Sequence, residues 1–327
     1  MLNSTSPYLS LVFSFRNEET TIPELLRRIR LVMQGLMTDK TIRGYELIFV
    51  DDASTDRSAS LLKEADQNVH DIRLLTMSRT FGVAPCVMAG LRNAKGDVVI
   101  YMDSDLQDPP ELIPEMVKTW RNGDNIDVVH TLRRSRAGES PFKMFITRIG
   151  YAILNRYSNV PIPREAGDFK LLSRKVVNHV LQFKEYKPFM RGIVSWIGFK
   201  QVFIPYDRQP RFNGKSKFFV IGKKVISNFL TSALVNFSSV PLQIASYCGL
   251  CSILIDFILL IWVGVQIIQG HAIPGWTGLT LIILFIGGVQ LFCIGMIGLY
   301  LNSVHEQIKN RPGYIIAATH GFSDEAK

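Results

Sequence analysis

Apolar residues follow two patterns through the first part of the chain. Short continuous runs occur at 9–15, 45–50, 72–77, 98–102 and 126–131. Between them, at 22–37, 57–67, 84–93 and 110–122, apolar residues recur every three or four positions. The runs predict buried strands and the periodic stretches predict amphipathic helices. Ser54 and Asp56 are the expected caps of the second helix. Strands apolar on both faces, alternating with helices, predict a largely parallel sheet covered on both sides, an α/β fold.

From Val240 to Leu301 the pattern changes, and charge almost disappears. Two stretches, 242–268 and 276–301, are long enough to cross a bilayer, which takes roughly 20 apolar residues. The link at 269–275 holds no Lys or Arg, whereas Lys215, Lys217, Lys223 and Lys224 precede the pair and Lys309 and Arg311 follow it. That asymmetry puts both termini in the cytoplasm. Asp256 interrupts the first stretch, and an acid at that depth marks a protein or water contact. The polar start, followed by only a short apolar run, does not read as a secretory signal, so the bulk is expected to stay cytoplasmic. The expected organisation is a cytoplasmic α/β domain at 1–210, a basic amphipathic segment at 211–239, a two-helix membrane hairpin at 240–303 and a cytoplasmic tail at 304–327.

Composition sharpens this division. Hydrophobic residues make up 47% of the 327, unevenly distributed, and the formal net charge is +9. Such a charge suits nucleic acid or an anionic membrane. Its concentration beside the apolar region favours membrane lipids as partners and argues against nucleic acid. Of the four cysteines, Cys248, Cys251 and Cys293 lie in the apolar stretches, where they read as small packing residues.

The chemistry gathers where strands end. The first run ends in Arg16-Asn-Glu-Glu19, the second in Asp51-Asp-Ala-Ser-Thr-Asp56, the third in Ser78-Arg-Thr-Phe-Gly82 and the fourth in Asp103-Ser-Asp105. Ligands of open α/β sheets bind beyond the carboxyl ends of strands. Asp103 and Asp105, two apart in an extended segment, point the same way and can hold a hard cation, Mg²⁺ or Mn²⁺, that shares phosphate oxygens. Carboxylates can also accept from a base or ribose, and Arg79 can meet a phosphate. No GxxxxGK[ST] is present and no GxGxxG follows the first strand. A nucleotide would therefore be held by side chains and a metal, not by a glycine loop.

Asn17-Glu-Glu19, Asp51-Asp-x-Ser-x-Asp56, Arg79-Thr-Phe-Gly82, Asp103-x-Asp-Leu-Gln-Asp-Pro-Pro-Glu111, Gly167-Asp-Phe-Lys170 and Phe189-Met-Arg-Gly192 occur in that order. With the paired apolar stretches, the set resembles the bacterial polyprenyl-phosphate glycosyltransferases of family 2, relatives of dolichyl-phosphate mannose synthase. The resemblance implies a GT-A (Rossmann-like) cytoplasmic domain with amphipathic interfacial helices and two transmembrane helices. It implies inverting transfer of one sugar, glucose being the first expectation, from a UDP-sugar to undecaprenyl or another polyprenyl phosphate, at the cytoplasmic face of the plasma (inner) membrane. The lipid-linked sugar would then serve a later envelope-modifying step. Related enzymes form tetramers, so a homotetramer is one expectation.

By the same resemblance, Asn17, Glu18, Asp51, Asp52, Arg79 and Asp103 line the nucleotide-sugar pocket. Asp103 and Asp105 hold the metal, and Asp168 is the catalytic carboxylate, positioning the acceptor or taking its last proton. Arg133, Arg136, Arg208, Arg211 and Lys215 are the expected seat of the acceptor phosphate. The last three adjoin a stretch with Phe218, Gly222, Val225, Ile226, Phe229 and Ala233 at helical spacing, which suits an interfacial helix. Residues 141–157 are a second such candidate. Arg16 and Ser104 depart from the family pattern, as does Gly298-Leu-Tyr-Leu-Asn-Ser303. A processive polysaccharide synthase would carry more spans and a Gln-x-x-Arg-Trp segment, which is absent. A non-catalytic scaffold is the other alternative, and the intact acid pair argues against it.

Overall fold

A computed structural model describes residues 6–67, 69–133, 166–185, 188–209 and 276–322, together with residues 245, 247–252, 254, 255, 257, 258, 261 and 269. Described residues up to 209 and from 312 onward form one compact unit, and those from 245 to 311 form another. The expected interfacial helices at 141–157 and 218–233 lie outside the described residues, as do Arg136, Arg211 and Lys215.

The first unit is built on one eight-stranded sheet. Strands β1 (Tyr8–Phe15), β2 (Gly44–Asp51), β3 (Ile72–Met77), β4 (Val98–Asp103) and β5 (Val128–Arg133) coincide, within two residues at each end, with the apolar runs. Helices α1 (Ile22–Thr38), α2 (Ser58–Asp66), α3 (Val83–Asn93) and α4 (Ile113–Asn122) occupy the periodic stretches, with a 3₁₀ turn at Pro110–Leu112 opening the last. Helix α1 shows why. Ile22, Leu25, Leu26, Ile29, Met33 and Leu36 form one buried stripe, and Pro23 sits in the first turn, where a missing N–H costs nothing.

The sheet is mixed, not largely parallel. Three later strands, β6 (Ala166–Ser173), β7 (Gln201–Tyr206) and β8 (Ile316–His320), complete the order β7-β5-β6-β4-β1-β2-β3-β8. Strand β6 runs antiparallel between β4 and β5, and β8 runs antiparallel to β3. Helices α5 (Arg174–Val180) and α6 (Met190–Trp196) follow β6. On one face Leu11, Phe13, Phe49, Ile100, Phe169 and Leu171 join the α1 stripe in a continuous core, with Phe13 and Phe49 stacked at 4.7 Å. The strand order reverses between β1, which is followed toward β2 and β3, and β4 on its other side. Such a switch point opens a crevice at the carboxyl ends of the strands. There Ser14 is the register partner of Asp103, and Phe15 that of Asp51.

In the second unit, α7 (Trp276–Ile308) covers the expected second span. Its segment Phe285–Ile308 is the one helix among the described residues that is long and apolar enough to cross a membrane, and none of its most apolar window is buried. Ile283, Leu291, Ile294, Leu301 and Ile308 are all more than half exposed. A helix with apolar residues exposed around its circumference is suited to a solvent other than water. The expected first span, 242–268, lies largely outside the described residues, though those described between 245 and 261 are helical. The Cys293 thiol donates to the Ala245 carbonyl at 3.1 Å, so residue 245 lies against the middle of α7.

Strand β8 is closed by Gly321, whose φ of +76° is a conformation L side chains rarely adopt. A Cβ there would stand 2.2 Å from the Ile72 carbonyl oxygen. Gly321→Ala is expected to lower stability by about 1–3 kcal/mol, read as a lower thermal midpoint. Gly313→Ala, with nothing within 4 Å of the added carbon, should leave the midpoint unchanged.

Candidate active site

The loops after β1, β2 and β4 each turn through a left-handed residue, Asn17, Ala53 and Leu106, with φ of 53°, 56° and 58°. Ala and Leu rarely adopt this conformation, which costs of order 1–3 kcal/mol and persists where neighbouring bonds fix it. Those bonds are visible. The Asn17 amide donates to Ser54 Oγ (3.0 Å), and Asn17 Oδ1 accepts from the Thr55 amide (2.8 Å). The Glu18 amide donates to Ser58 Oγ (2.9 Å), while Glu19 Oε2 accepts from the Arg57 amide (3.1 Å). Ser54 therefore braces the first loop and does not cap α2. Asp56 does serve the helix start, accepting from the Ser58 amide at 3.0 Å.

Asp51 and Asp52 are buried and directed at backbone. Asp51 Oδ1 accepts from the Ser54 amide (2.8 Å), and burial pushes its carboxyl above the ordinary range. Asp52 accepts from the amides of Phe81 (2.6 Å) and Gly82 (3.1 Å), which ties the loop before α3 to the end of β2. On that loop Arg79 is exposed, its guanidinium 4.0 Å from the Phe81 ring centroid. Asn17 and Asp51 are thus linked through Ser54, Glu18 is tied to the start of α2 through Ser58, and Asp52 reaches the Arg79 loop through Phe81.

Acids crowd the end of β4. Asp103 is half-buried, and burial, reinforced by Asp168, Asp105 and Asp108, pushes its carboxyl up to about 7. Asp105 is buried and its Oδ1 accepts from the Gln107 amide (3.1 Å). Between them, the Ser104 hydroxyl donates to the Ser14 carbonyl (3.1 Å), so the unusual serine pins the turn to β1. Strand β6 brings the fourth acid. Lys170 is the register partner of Tyr101, and the same antiparallel register two residues on brings Asp168 level with Asp103.

Asp168 lies in a strand, not in a turn, and Arg191 from α6 grips it with two bonds, Nη2 to Oδ2 at 2.6 Å and Nε to Oδ1 at 3.0 Å. Burial alone would raise this carboxyl, but Arg191, with Lys170 and Arg133, holds it well below the usual carboxylate range. Lys170 itself is fully buried, its ammonium 5.8 Å from the Tyr101 ring centroid, and burial brings it down to about 8 against the pull of Asp168. Arg133 lies at the end of β5. Burial opposes its charge, but Asp108 and Tyr206 outweigh burial and raise its pKa. Arg208 is drawn to the same Asp108 at 3.8 Å. Asp103, Asp105, Asp168, Arg133 and Arg208 are thus grouped at one sheet edge.

Four members of this group had no role in the sequence reading. Arg191, Lys170 and Asp108 stood inside quoted motifs without an assignment, and Tyr206 was not singled out. Among the described residues, no three His, Cys, Asp or Glu side chains form a metal-binding group. The Asp103/Asp105 pair fits a hard divalent ion that takes its remaining ligands from phosphate and water. Burial raises Asp103 most, and the like charges that add to it favour a cation there.

The fold and the site define an α/β protein that collects acids and arginines at the switch point of its sheet. Residues 10–181 match the model for Glycosyl transferase family 2, and the chain belongs to that family. The sheet is accordingly of the GT-A-like kind. An uncharacterized glycosyltransferase of Synechocystis sp. is 38% identical over 96% of each chain. The SfII prophage-derived bactoprenol glucosyl transferase of Shigella flexneri is 34% identical, over 95% of this chain and 98% of its own. A solved mannosyltransferase from Pyrobaculum calidifontis, in complex with GDP-Man and Mn²⁺, is similar with a TM-score of 0.46 at 16% identity, covering 89% of this chain and 88% of that one.

One buried group beside the site sets a pH response. His130, on β5, is the register partner of Lys170, shares a 2.7 Å hydrogen bond with Gln201 Oε1 and stacks on Phe203. Burial, with Lys170 adding to it, brings the imidazole down from 6.5 to about 4. Between those values the unfolded chain binds a proton that the folded one does not, so stability falls as pH drops through that window. The full loss attributable to His130 is about 3 kcal/mol. Denaturant midpoints from pH 7 to pH 4 should fall for the native protein and fall less for His130→Gln.

Proposed function

We propose that this protein transfers one sugar, glucose in the first instance, from a UDP-sugar to the phosphate of undecaprenyl or a similar polyprenol. The observation that carries the reading is the meeting, at one sheet edge, of an acid pair suited to a cation and an arginine pair suited to an anion. The first fits a nucleoside diphosphate with its metal, and the second fits a phosphate monoester. Bactoprenol glucosyl transferases that align over nearly the whole chain support the same acceptor class.

In this reading the loops bearing Asn17, Glu18, Asp51, Asp52 and Arg79 seat the nucleotide, with Asp51 and Asp52 acting mainly by fixing the loop backbone. Asp103 and Asp105 hold Mg²⁺ or Mn²⁺, which when bound would offset the charge of the departing diphosphate. Arg133 and Arg208, with Arg136, Arg211 and Lys215, receive the acceptor phosphate. Asp168 orients the acceptor through Arg191. A carboxylate so firmly ion-paired is a poor proton acceptor, and a phosphate monoester, with a second pKa around 6, scarcely needs one.

The membrane follows from the acceptor and from α7. Strand β8 lies after α7 in sequence yet in the same sheet as strands that precede the apolar region. One sheet drawing strands from both flanks of that region supports placing both flanks on the same side of a bilayer, with an even number of crossings between them. Helix α7 supplies one crossing and 242–268 is the proposed second. Both termini are cytoplasmic in this arrangement, with the catalytic domain at 1–210, the basic segment at 211–239 and the hairpin at 240–303.

The full chain, given UDP-glucose, undecaprenyl phosphate and Mg²⁺ or Mn²⁺, should release UDP and form a lipid carrying one sugar by mass spectrometry. Chelation should stop the reaction, and Asp103→Asn and Asp105→Asn should each slow it by about 100-fold or more. Unchanged turnover in both variants would sink the metal assignment, and longer glycan chains would sink single transfer. The acid limb of the kcat profile should follow the acceptor phosphate near pH 6. A limb that moved in Asp168→Asn would make that carboxylate the base.

A further inference from the structure

Asp108 is the one acid of the site to which the reading above gives no task. It is fully buried in the loop between β4 and the 3₁₀ turn, three residues after Asp105. A carboxylate so placed is costly unless cations and donors surround it. Here they do. The Tyr206 hydroxyl, from the end of β7, donates to Asp108 Oδ1. Arg133 Nε in turn donates to the same Tyr206 oxygen at 3.1 Å, and Arg133 Nη2 stands 3.6 Å from Asp108 Oδ1. Arg208 Nε approaches from the other side at 3.8 Å. Asp108 Oδ2 has no hydrogen-bond partner among the described residues.

The surrounding backbone ties these parts together. Arg133 and Tyr206 are register partners on adjacent parallel strands. The Gln209 amide donates to the Gln107 carbonyl at 3.0 Å, joining the end of β7 to the loop that carries Asp105 and Asp108. On the outer side, Arg28 holds both Glu111 oxygens and reaches Gln209 Oε1 at 3.4 Å. The acid loop is therefore bonded to the chain that leaves β7.

We infer that Asp108 is a positioning residue for the anion seat: acting directly and through the Tyr206 hydroxyl, it fixes the heads of Arg133 and Arg208 at the height of the cation pair, so that the acceptor's phosphate monoester meets two arginines already in place. The arginine–Asp108 contacts are long, at 3.6 and 3.8 Å, which leaves N–H donors for an incoming phosphate. An arginine held by a countercharge at its back loses less freedom on binding than one that must be ordered by the ligand. This rests on the proposed function, because it presumes that these arginines take the acceptor.

The test is a set of full-chain variants assayed with undecaprenyl phosphate, UDP-glucose and Mn²⁺. Asp108→Asn removes the charge at nearly constant volume, and Tyr206→Phe breaks the relay without opening a cavity. Each should raise the acceptor KM about tenfold, while calorimetric affinity for UDP with Mn²⁺ stays within about threefold. A double-mutant cycle supplies the reading a purely structural role would not give. If Asp108 acts through Arg133, Asp108→Asn should add little to the acceptor KM of Arg133→Gln. Fully additive effects, an unchanged acceptor KM, or a loss of UDP affinity equal to the loss for the acceptor would each overturn the inference. The last outcome would give the arginines to the donor diphosphate. Should Asp108→Asn lack a thermal unfolding transition, Tyr206→Phe alone and combined with Arg133→Gln decides by the same readings. Absence of lipid glycosylation by the unaltered protein would refute the acceptor assignment first, and the inference with it.

Discussion

Like charges held close together in a half-buried place are the constraint on which this molecule turns. Asp105, Asp108 and Asp168 all act on Asp103 at the end of β4. Water is too scarce there to screen them, so each must find a cation, a proton or a set of amides. The chain meets the demand in three ways. Asp168 takes Arg191, Asp108 takes Tyr206 and two arginines, and Asp103, left with the weakest compensation, rises toward neutrality. That inequality supports the proposal that the pair at 103 and 105 takes an external cation.

The backbone makes this concentration possible. A switch point sets β1 and β4 side by side with their carboxyl ends level, and an antiparallel β6 then runs back toward the same edge with Asp168 and Lys170 on one face. The opposite face of the same strand carries Phe169 and Leu171 into the main core. One strand thus anchors itself by its odd-numbered residues and serves the site by its even-numbered ones. The left-handed turns at Asn17, Ala53 and Leu106 are the local cost of directing three loops into the same crevice.

How legible this was in the sequence depended on how each element hides its polarity. Strands β1 to β4 are apolar on both faces, so their runs marked them to within a residue or two. Strand β6 was invisible because its period-two pattern alternates apolar residues with Asp168 and Lys170, charges that no strand template expects inside a fold. Strand β7 carries Pro205, tolerable only because the strand lies at the sheet edge. Strand β8, Ile-Ala-Ala-Thr-His, is exposed over most of its length and offers no hydrophobic signal. Asp103 and Asp105 were legible as residue types at a strand end, and Asp168 through its motif. The pairings were not: Arg208 was singled out only as a seat for phosphate, and only the fold joins it, Arg191 and Tyr206 to Asp108 and Asp168.

Strand β8 has a consequence for how the protein is made. Strand β3 is synthesised well before the strand that covers its outer edge, because the whole apolar region lies between them in the chain. Until then β3 presents a row of unpaired amides and carbonyls, the feature that invites pairing with another chain. Completion of the sheet must therefore wait until the apolar region has been delivered, and an intermediate with an open edge persists for the interval. Loss of Ile316–His320 would leave that edge open permanently, and should show first in the yield of dispersed protein, before it shows in the chemistry of the distant acids.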